Sequence, residues 1–282
     1  MHRDREPREE LTEGAGPFVT RRTWHSPEGG TAVWESRRVR KRGELTVRPA
    51  GGALATPRRA DARTLARLGR LNALAAVSFA LGGGLFAAGA AAALAGADTT
   101  TSTVAYFTGG LFFTSGGYVS LLQTINAPER RPGADRLAPV AWRWWSYEPL
   151  RIDWLGTFLL FAGTLVFGVN LLDSFLQGLT VQQAARLVWA PDVIGCVLFL
   201  VSGQLALAEV CHGPSGIRTR DLGWWVVAVN LLGSGLFMLA ALTALVTPEL
   251  DAPVSLAVSN WGTLTGALCF TAAGVLQGFE HP

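Results

Sequence analysis

The chain has little charge, few cysteines and no motif that supplies a nucleophile or a phosphate loop. Only 16% of its 282 residues are charged, against about 25% in an ordinary soluble domain. That deficit, with 49% hydrophobic residues, argues against a wholly water-exposed surface and for a membrane. The three cysteines, Cys196, Cys211 and Cys269, lie scattered in or beside apolar segments. That pattern excludes a disulfide framework and has no zinc-ligand spacing. Gly213-Pro214-Ser215-Gly216 lacks the strand-to-helix context of a nucleophile elbow. Gly82-Gly83-Gly84 lies inside an apolar segment, without the strand and lysine of a phosphate loop. The expectation is therefore no enzyme, no cofactor and no bound metal. No secretory leader is expected either, because the first apolar run begins about 70 residues into the chain.

What is present is a set of six apolar segments, at 71–96, 103–124, 152–174, 190–210, 223–247 and 257–279. Each is near the roughly 20 residues that carry a helix across a bilayer. Charge is segregated: 16 of the 24 basic residues precede residue 71, and the links at 125–151 and 211–222 carry most of the rest. With both termini inside, 23 basic residues face the cytoplasm and one, Arg186, faces out. The excess of arginine in inner loops sets that orientation. Trp142, Trp144, Trp145, Tyr147, Trp154, Trp189, Trp224, Trp225 and Trp261 stand near segment ends, where interfacial anchors belong. The expected location is the inner (plasma) membrane of a bacterium, multi-pass, with N- and C-terminus cytoplasmic.

All six segments carry a Gly-small-x-x-Phe pattern: Gly82 with Phe86, Gly109 with Phe113, Gly163 with Phe167, Gly195 with Phe199, Gly233 with Phe237, and Gly266 with Phe270. Further offsets agree within the odd and within the even segments. Arg70-Leu71-Asn72, Arg151-Ile152-Asp153 and Asp221-Leu222-Gly223 hold equal positions before the odd motifs. Gly117, Gly203 and Gly274 lie four residues after the even phenylalanines, and Gln123, Glu209 and Glu280 lie ten after them. The predicted fold is therefore an all-α integral membrane protein over 71–282, its six helices forming three repeated helical hairpins. Lipid tails are as apolar as leucine, so helices in a bilayer associate by close fit. The twelve motif residues are read as helix-packing residues on that ground.

The doubled Gly-Ser/Thr-x-x-Phe pattern, with Leu231-Leu232-Gly233-Ser234 and Trp142-Arg143-Trp144-Trp145, resembles the YrhK-like family of small bacterial membrane proteins. In its arrangement the chain resembles six-span actinobacterial proteins. The resemblance covers most of 71–279 and implies a membrane location. It brings no activity and no functional residues to this chain.

The first 70 residues differ from the rest. Residues 1–16 are charged and glycine-containing, and are expected to be disordered. Over 17–42, two β-prone runs flank Ser26-Pro27-Glu28-Gly29-Gly30, the pattern of a small basic cytoplasmic β-hairpin. Residues 43–70 read as a linker, to about residue 57, followed by a basic juxtamembrane helix. Arg63, Arg67 and Arg70 share a helical stripe there. The expected partners are the bilayer, with anionic headgroups near Arg58–Arg70, and a cytoplasmic protein; no nucleic acid is expected.

Four polar residues are candidates for lining a cavity: Asn170, Asp192, Glu209 and Asn230. Asp192 follows Pro191 at a segment start, where an acid also suits the helix dipole. Glu209, Cys211 and His212 cluster at one segment end but lack the further ligands a metal needs. Two functions follow. The first is a non-enzymatic scaffold or partner-binding module that uses the N-terminal hairpin and the Trp-rich 141–151 stretch. The second is a transporter or channel for a small neutral solute. A scaffold predicts a dry interior with Asn230 paired; a pathway predicts a hydrated cavity lined by Asn170 and Asn230.

Overall fold

The computed structural model describes residues 10–51, 54–131, 134–245 and 255–282. Residues 1–9 of the segment expected to be disordered lie outside it, as do the end of the fifth apolar segment and most of the link that follows.

The chain opens with an antiparallel five-stranded sheet in sequential order: β1 (Leu11–Ala15), β2 (Phe18–His25), β3 (Thr31–Glu35), β4 (Glu44–Arg48) and β5 (Thr56–Arg59). The expected hairpin is its centre: Arg21 pairs with Glu35 and His25 with Thr31. Gly29 and Gly30 make the turn at φ +90° and +88°, values that L side chains rarely adopt. The rest of the sheet corrects the sequence reading. Residues 11–15 form a strand rather than disordered chain, and the expected linker holds β4 and β5. The reason is edge chemistry. A hairpin alone is marginal in water, and pairing on both sides gives its backbone partners. The added strands also bury Trp24, Ala32, Val39, Leu45 and Val47 in one cluster.

Between β3 and β4 sits α1 (Ser36–Arg42), a seven-residue helix ending on Gly43 at φ +61°. The sequence reading has no helix here. Seven residues are too few for an amphipathic period to stand out, and α1 is held by tertiary contacts.

Six long helical segments follow. They are α2 (Ala62–Leu94), α3 (Thr99–Ile125), α4 (Ile152–Asp173), α6 (Ala190–Cys211), α7 (Leu222–Thr243) and α8 (Leu256–Gly278). A short α5 (Val181–Ala184) and one π-helical turn (Ala185–Trp189) run into α6. In the 125–151 link, β6 (Glu129–Arg130) and β7 (Leu137–Ala138) pair as a small ribbon. Among the described residues four segments are long and apolar enough to cross a membrane: Ala62–Leu94, Ile152–Asp173, Val181–Cys211 and Leu222–Thr243. The juxtamembrane helix is continuous with the first of these. Its N-cap is Asp61, whose carboxylate accepts from the Thr64 amide at 3.0 Å.

The helices close into a ring in the order α2, α3, α4, α6, α7, α8 and back to α2. Glycine sets the approach at each hairpin. A Cβ on Gly109 would lie 2.9 Å from the Gly82 carbonyl, and one on Gly82 equally near that of Gly109. A Cβ on Gly163 would meet the Phe199 ring at 2.8 Å, and one on Gly195 would meet Phe167 at 3.1 Å. Gly233 and Gly266 face each other likewise, each Cβ falling 3.0 Å from the other's carbonyl. Between hairpins, Gly117, Gly203 and Gly274 do similar work against Phe161, Leu231 and Ala80. Each of those three residues stands two before a motif glycine.

Candidate functional site

The six motif phenylalanines meet on the ring's axis in two tiers. Phe86, Phe167 and Phe237 form a triangle, with centroids 5.7, 5.9 and 6.1 Å apart. In the second tier Phe270 touches Phe113 at 5.4 Å and Phe199 at 6.5 Å. Contacts of 5.4 Å (Phe86–Phe113), 6.0 Å (Phe167–Phe199) and 5.0 Å (Phe237–Phe270) join the tiers. Most of these pairs are edge-to-face, the geometry that the ring quadrupole favours.

The double tier divides two polar cavities. One, of about 90 Å³, lies toward the sheet and is floored by Phe113 and Phe270. Asn230, Ser202, Glu209, Asp153 and Gln277 line its walls, and Arg37, Arg40 and Lys41 roof it. The other, of about 200 Å³, lies at the far end and is floored by the Phe86–Phe167–Phe237 triangle. Its walls include Asn170, Asp192, Asn260 and Tyr106. The four polar candidates therefore do not share one cavity: Glu209 and Asn230 lie on one side of the aromatic tiers, Asn170 and Asp192 on the other. Asn230 makes no side-chain hydrogen bond among the described residues; only its carbonyl is used, by Ser234. The buried Arg40 Nε and Gln277 Nε2 also lack protein partners. Buried donors without protein partners beside a polar cavity of about 90 Å³ are groups that ordered water would satisfy.

The roof shows why three offset residues matter. Arg37, Arg40 and Lys41 are spaced to share one face of α1. Arg37 donates to both Glu280 oxygens, at 2.8 and 2.7 Å. Arg40 Nη2 donates to Glu209 Oε2 at 2.8 Å, and Ser36 Oγ to Oε1 at 2.8 Å. Lys41 Nζ donates to Gln123 Oε1 and to Asn72 Oδ1, both at 2.9 Å. Each cation of α1 thus reaches a different hairpin: Arg37 the end of α8, Arg40 α6, and Lys41 both α2 and α3. Gly223 belongs to the same constellation, since a Cβ there would strike Arg37 Nε and Glu280 Oε1 at 2.8 Å. Asp153 is held separately, by Arg151 at 2.7 Å.

These ionic contacts are buried, with Glu209 at 1% exposure and Lys41, the chain's single lysine, at 3%. Burial pushes the Lys41 amine well below its ordinary value, and the neighbouring Arg40 charge adds to that. Burial alone would raise the Glu280 carboxyl, but Arg37, helped by Lys41 and Arg40, outweighs it, and the net is lowered. Breaking a buried pair strands a charge, so each contact is costly to remove singly.

A second tie joins sheet to bundle. His212 caps α6 in the left-handed region at φ 54°. Its Nδ1 lies 2.9 Å from Thr20 Oγ1 and its Nε2 3.3 Å from Glu35. The hydrogen bond from His212 is the largest of the effects that lower the Glu35 carboxyl. Glu209, Cys211 and His212 therefore diverge: Glu209 turns inward, and Cys211 turns to the Gly216 carbonyl at 3.3 Å. A third tie runs through the 125–151 link. Trp24 Nε1 donates to Asp135 at 2.8 Å, and Arg130 lies over the Trp24 ring at 4.0 Å.

Sequence reasoning missed the role of α1. A signal existed: three cations at i, i+3 and i+4, and three amide or acidic residues at one repeated offset. Of the Arg58–Arg70 stretch, Arg63 and Arg70 are exposed, while Arg67 turns to the Asn126 carbonyl at 3.0 Å. Among the anchor candidates, Trp154 is buried against Phe158, at 4.9 Å, whereas Trp144 and Tyr147 are exposed.

No family model, no curated protein and no solved structure matches the chain.

Proposed function

We propose that the chain is a six-span protein of a bacterial plasma membrane, and that its helix ring is a gated pathway for a small polar solute. In this reading α3 and α8 cross the bilayer beside the four more apolar helices. They stand between those helices in the closed ring, and they turn Val104, Leu111, Val258 and Leu268 outward, as a lipid-facing surface requires. The three hairpins are structural repeats about an axis along the membrane normal, supported by the recurring glycine contacts. Both termini are cytoplasmic on the arginine distribution, and Arg63 and Arg70 face anionic headgroups.

The single observation that carries the reading is the roofed cavity. A polar, water-sized space lies between an aromatic constriction and a basic helix that spends one cation on each hairpin. Asn230, with no side-chain partner among the described residues, faces this space. The two phenylalanine tiers close the pathway at mid-depth, and α1 closes its cytoplasmic mouth. The scaffold reading keeps one observation of its own, the exposed Trp144, Tyr147 and Leu150 on the 125–151 link.

The test is flux into liposomes that hold the purified chain, using osmotic shrinkage in a panel of small polar solutes. The wild-type chain should be slow. The chain that carries Arg37→Ala, Arg40→Ala, Lys41→Ala and Phe237→Ala together, and so loosens both closures, should pass at least one solute faster than wild type and faster than either change alone. No acceleration in the combined variant, in protein shown to be folded, would remove the pathway reading and favour the scaffold.

A further inference from the structure

We infer that the far-end cavity binds a small organic ammonium cation, and that this is the solute class the pathway handles. The second half rests on the pathway reading; the first does not.

The cavity has two unlike sides. Its floor is aromatic, the Phe86–Phe167–Phe237 triangle, with Tyr106 stacked on Phe86 at 6.0 Å. Its wall offers one carboxylate, Asp192, between the side-chain amides of Asn170 and Asn260. Among the described residues no basic side chain lines the cavity, and none pairs with Asp192. Among the described residues that carboxylate meets only neutral side-chain partners, the Cys196 thiol at 3.7 Å and the Asn170 amide. An uncompensated acid in an apolar setting is expensive, and a proton or a bound cation offsets it. The aromatic floor selects among cations. A bare metal ion is held by several charged oxygens, and this cavity offers one carboxylate, the rest of its polar lining being neutral amides and hydroxyls. An alkylammonium places its charge against Asp192 and the amides and its alkyl surface on the rings, whose quadrupole also attracts positive charge. A volume of about 200 Å³ suits a molecule of a few carbons rather than a large one.

The other mouth of the ring has the same polarity. Asp153, Glu209 and Glu280 are gathered at the sheet end, and α1 meets the last two with guanidinium groups. Without α1 that mouth is acidic. The basic helix thus occupies, from within the chain, a place that a cation would take, which agrees with cation selectivity along the axis.

The test is binding by the purified full-length chain in lipid nanodiscs, by calorimetry, with tetramethylammonium and n-butylammonium as probes. Sodium chloride at equal ionic strength and neutral n-butanol serve as comparisons. Saturable binding of an ammonium probe is expected, weakened roughly tenfold or more by Asp192→Asn, the loss that follows from removing a desolvated charge partner. Asn260→Ala should weaken it less, and Asp173→Asn, which is outside the cavity lining, should leave it unchanged. The inference is overturned if neither probe binds the folded wild-type chain, if Asp192→Asn and Asn260→Ala both bind as wild type does, or if sodium alone binds in an Asp192-dependent way. Binding without liposome flux would uphold the site and remove the pathway; flux without ammonium binding would do the reverse.

Discussion

The middle of the helix ring and its sheet-end mouth are both closed, by opposite means. In the middle, six phenylalanines and the glycines beside them close the axis by shape. Each ring touches several others, so no single contact decides the closure. At the mouth, Arg37 and Arg40 meet buried carboxylates, Ser36 adds a second bond to Glu209, and Lys41 donates to the Asn72 and Gln123 amides, so a few polar contacts tie α1 to each hairpin. Packing closure is redundant and indifferent to pH. Ionic closure in a buried site depends on single residues and on protonation. On the proposed pathway reading, that difference makes α1 the gate rather than the phenylalanines.

The largest expected effect lies at the mouth. Glu209→Ala strands Arg40 and frees Ser36, and should destabilise the protein by about 3–5 kcal/mol, the usual result of leaving a buried charge unpaired. Thermal unfolding of the solubilised chain would measure it. A loss no greater than that of a surface substitution would mean that water already reaches this pair. Next comes overpacking in the middle. A side chain at Gly266 would press on Phe237, its Cβ falling 2.5 Å from the ring. Gly266→Val should therefore cost about 1–3 kcal/mol and lower the yield of folded protein. Phe237→Leu, which keeps most of the volume, should cost less, under about 1.5 kcal/mol.

The comparison sharpens further with pH. Lys41 has a docked value well below 10.5, through burial first and then Arg40. A lysine depressed in the folded state binds fewer protons folded than unfolded. Its contribution therefore grows as pH rises from the lowered value to 10.5, and is lost as pH falls through the lowered value. Glu280, also depressed, contributes above its ordinary 4.5 and loses that as pH falls through its lowered value. Unfolding midpoints should thus climb on the alkaline side in the wild type, and Lys41→Met should flatten the climb. Equal slopes in the two proteins would refute the assignment. The smallest effect belongs to the rim. Glu10 meets Arg130 at 2.9 Å in a partly exposed pair, and Glu10→Gln should change stability by no more than about 1 kcal/mol, less in high salt.

What the sequence discloses follows the same division. The helices were legible because a hydrophobic run near 20 residues has few other uses. The glycine–phenylalanine contacts were legible because they repeat. The expected disorder at 11–15 and the linker over 43–57 failed for the opposite reason. β1, β4 and β5 are four or five residues long, and β5 is Thr-Pro-Arg-Arg, a stretch with no strand signature of its own. Such strands exist because β2 and β3 offer edges to pair with. The candidate site was half legible. Gln123, Glu209 and Glu280 stood out by their offsets, yet their partners lie more than 80 residues away on α1, and spacing along the chain does not reveal that. Asn170 and Asp192 were grouped with Glu209 and Asn230 because all are polar; the aromatic tiers that separate them exist only in the folded ring.

The most direct test of the account is whether α1 controls water at Asn230. Cys196, Cys211 and Cys269 are replaced, Asn230→Cys is introduced, and membranes are treated from the side that carries the sheet with a small impermeant thiol reagent. The account predicts slow labelling with α1 intact and rapid labelling when Arg37→Ala, Arg40→Ala and Lys41→Ala are added. Equal labelling with and without the three cations would contradict it.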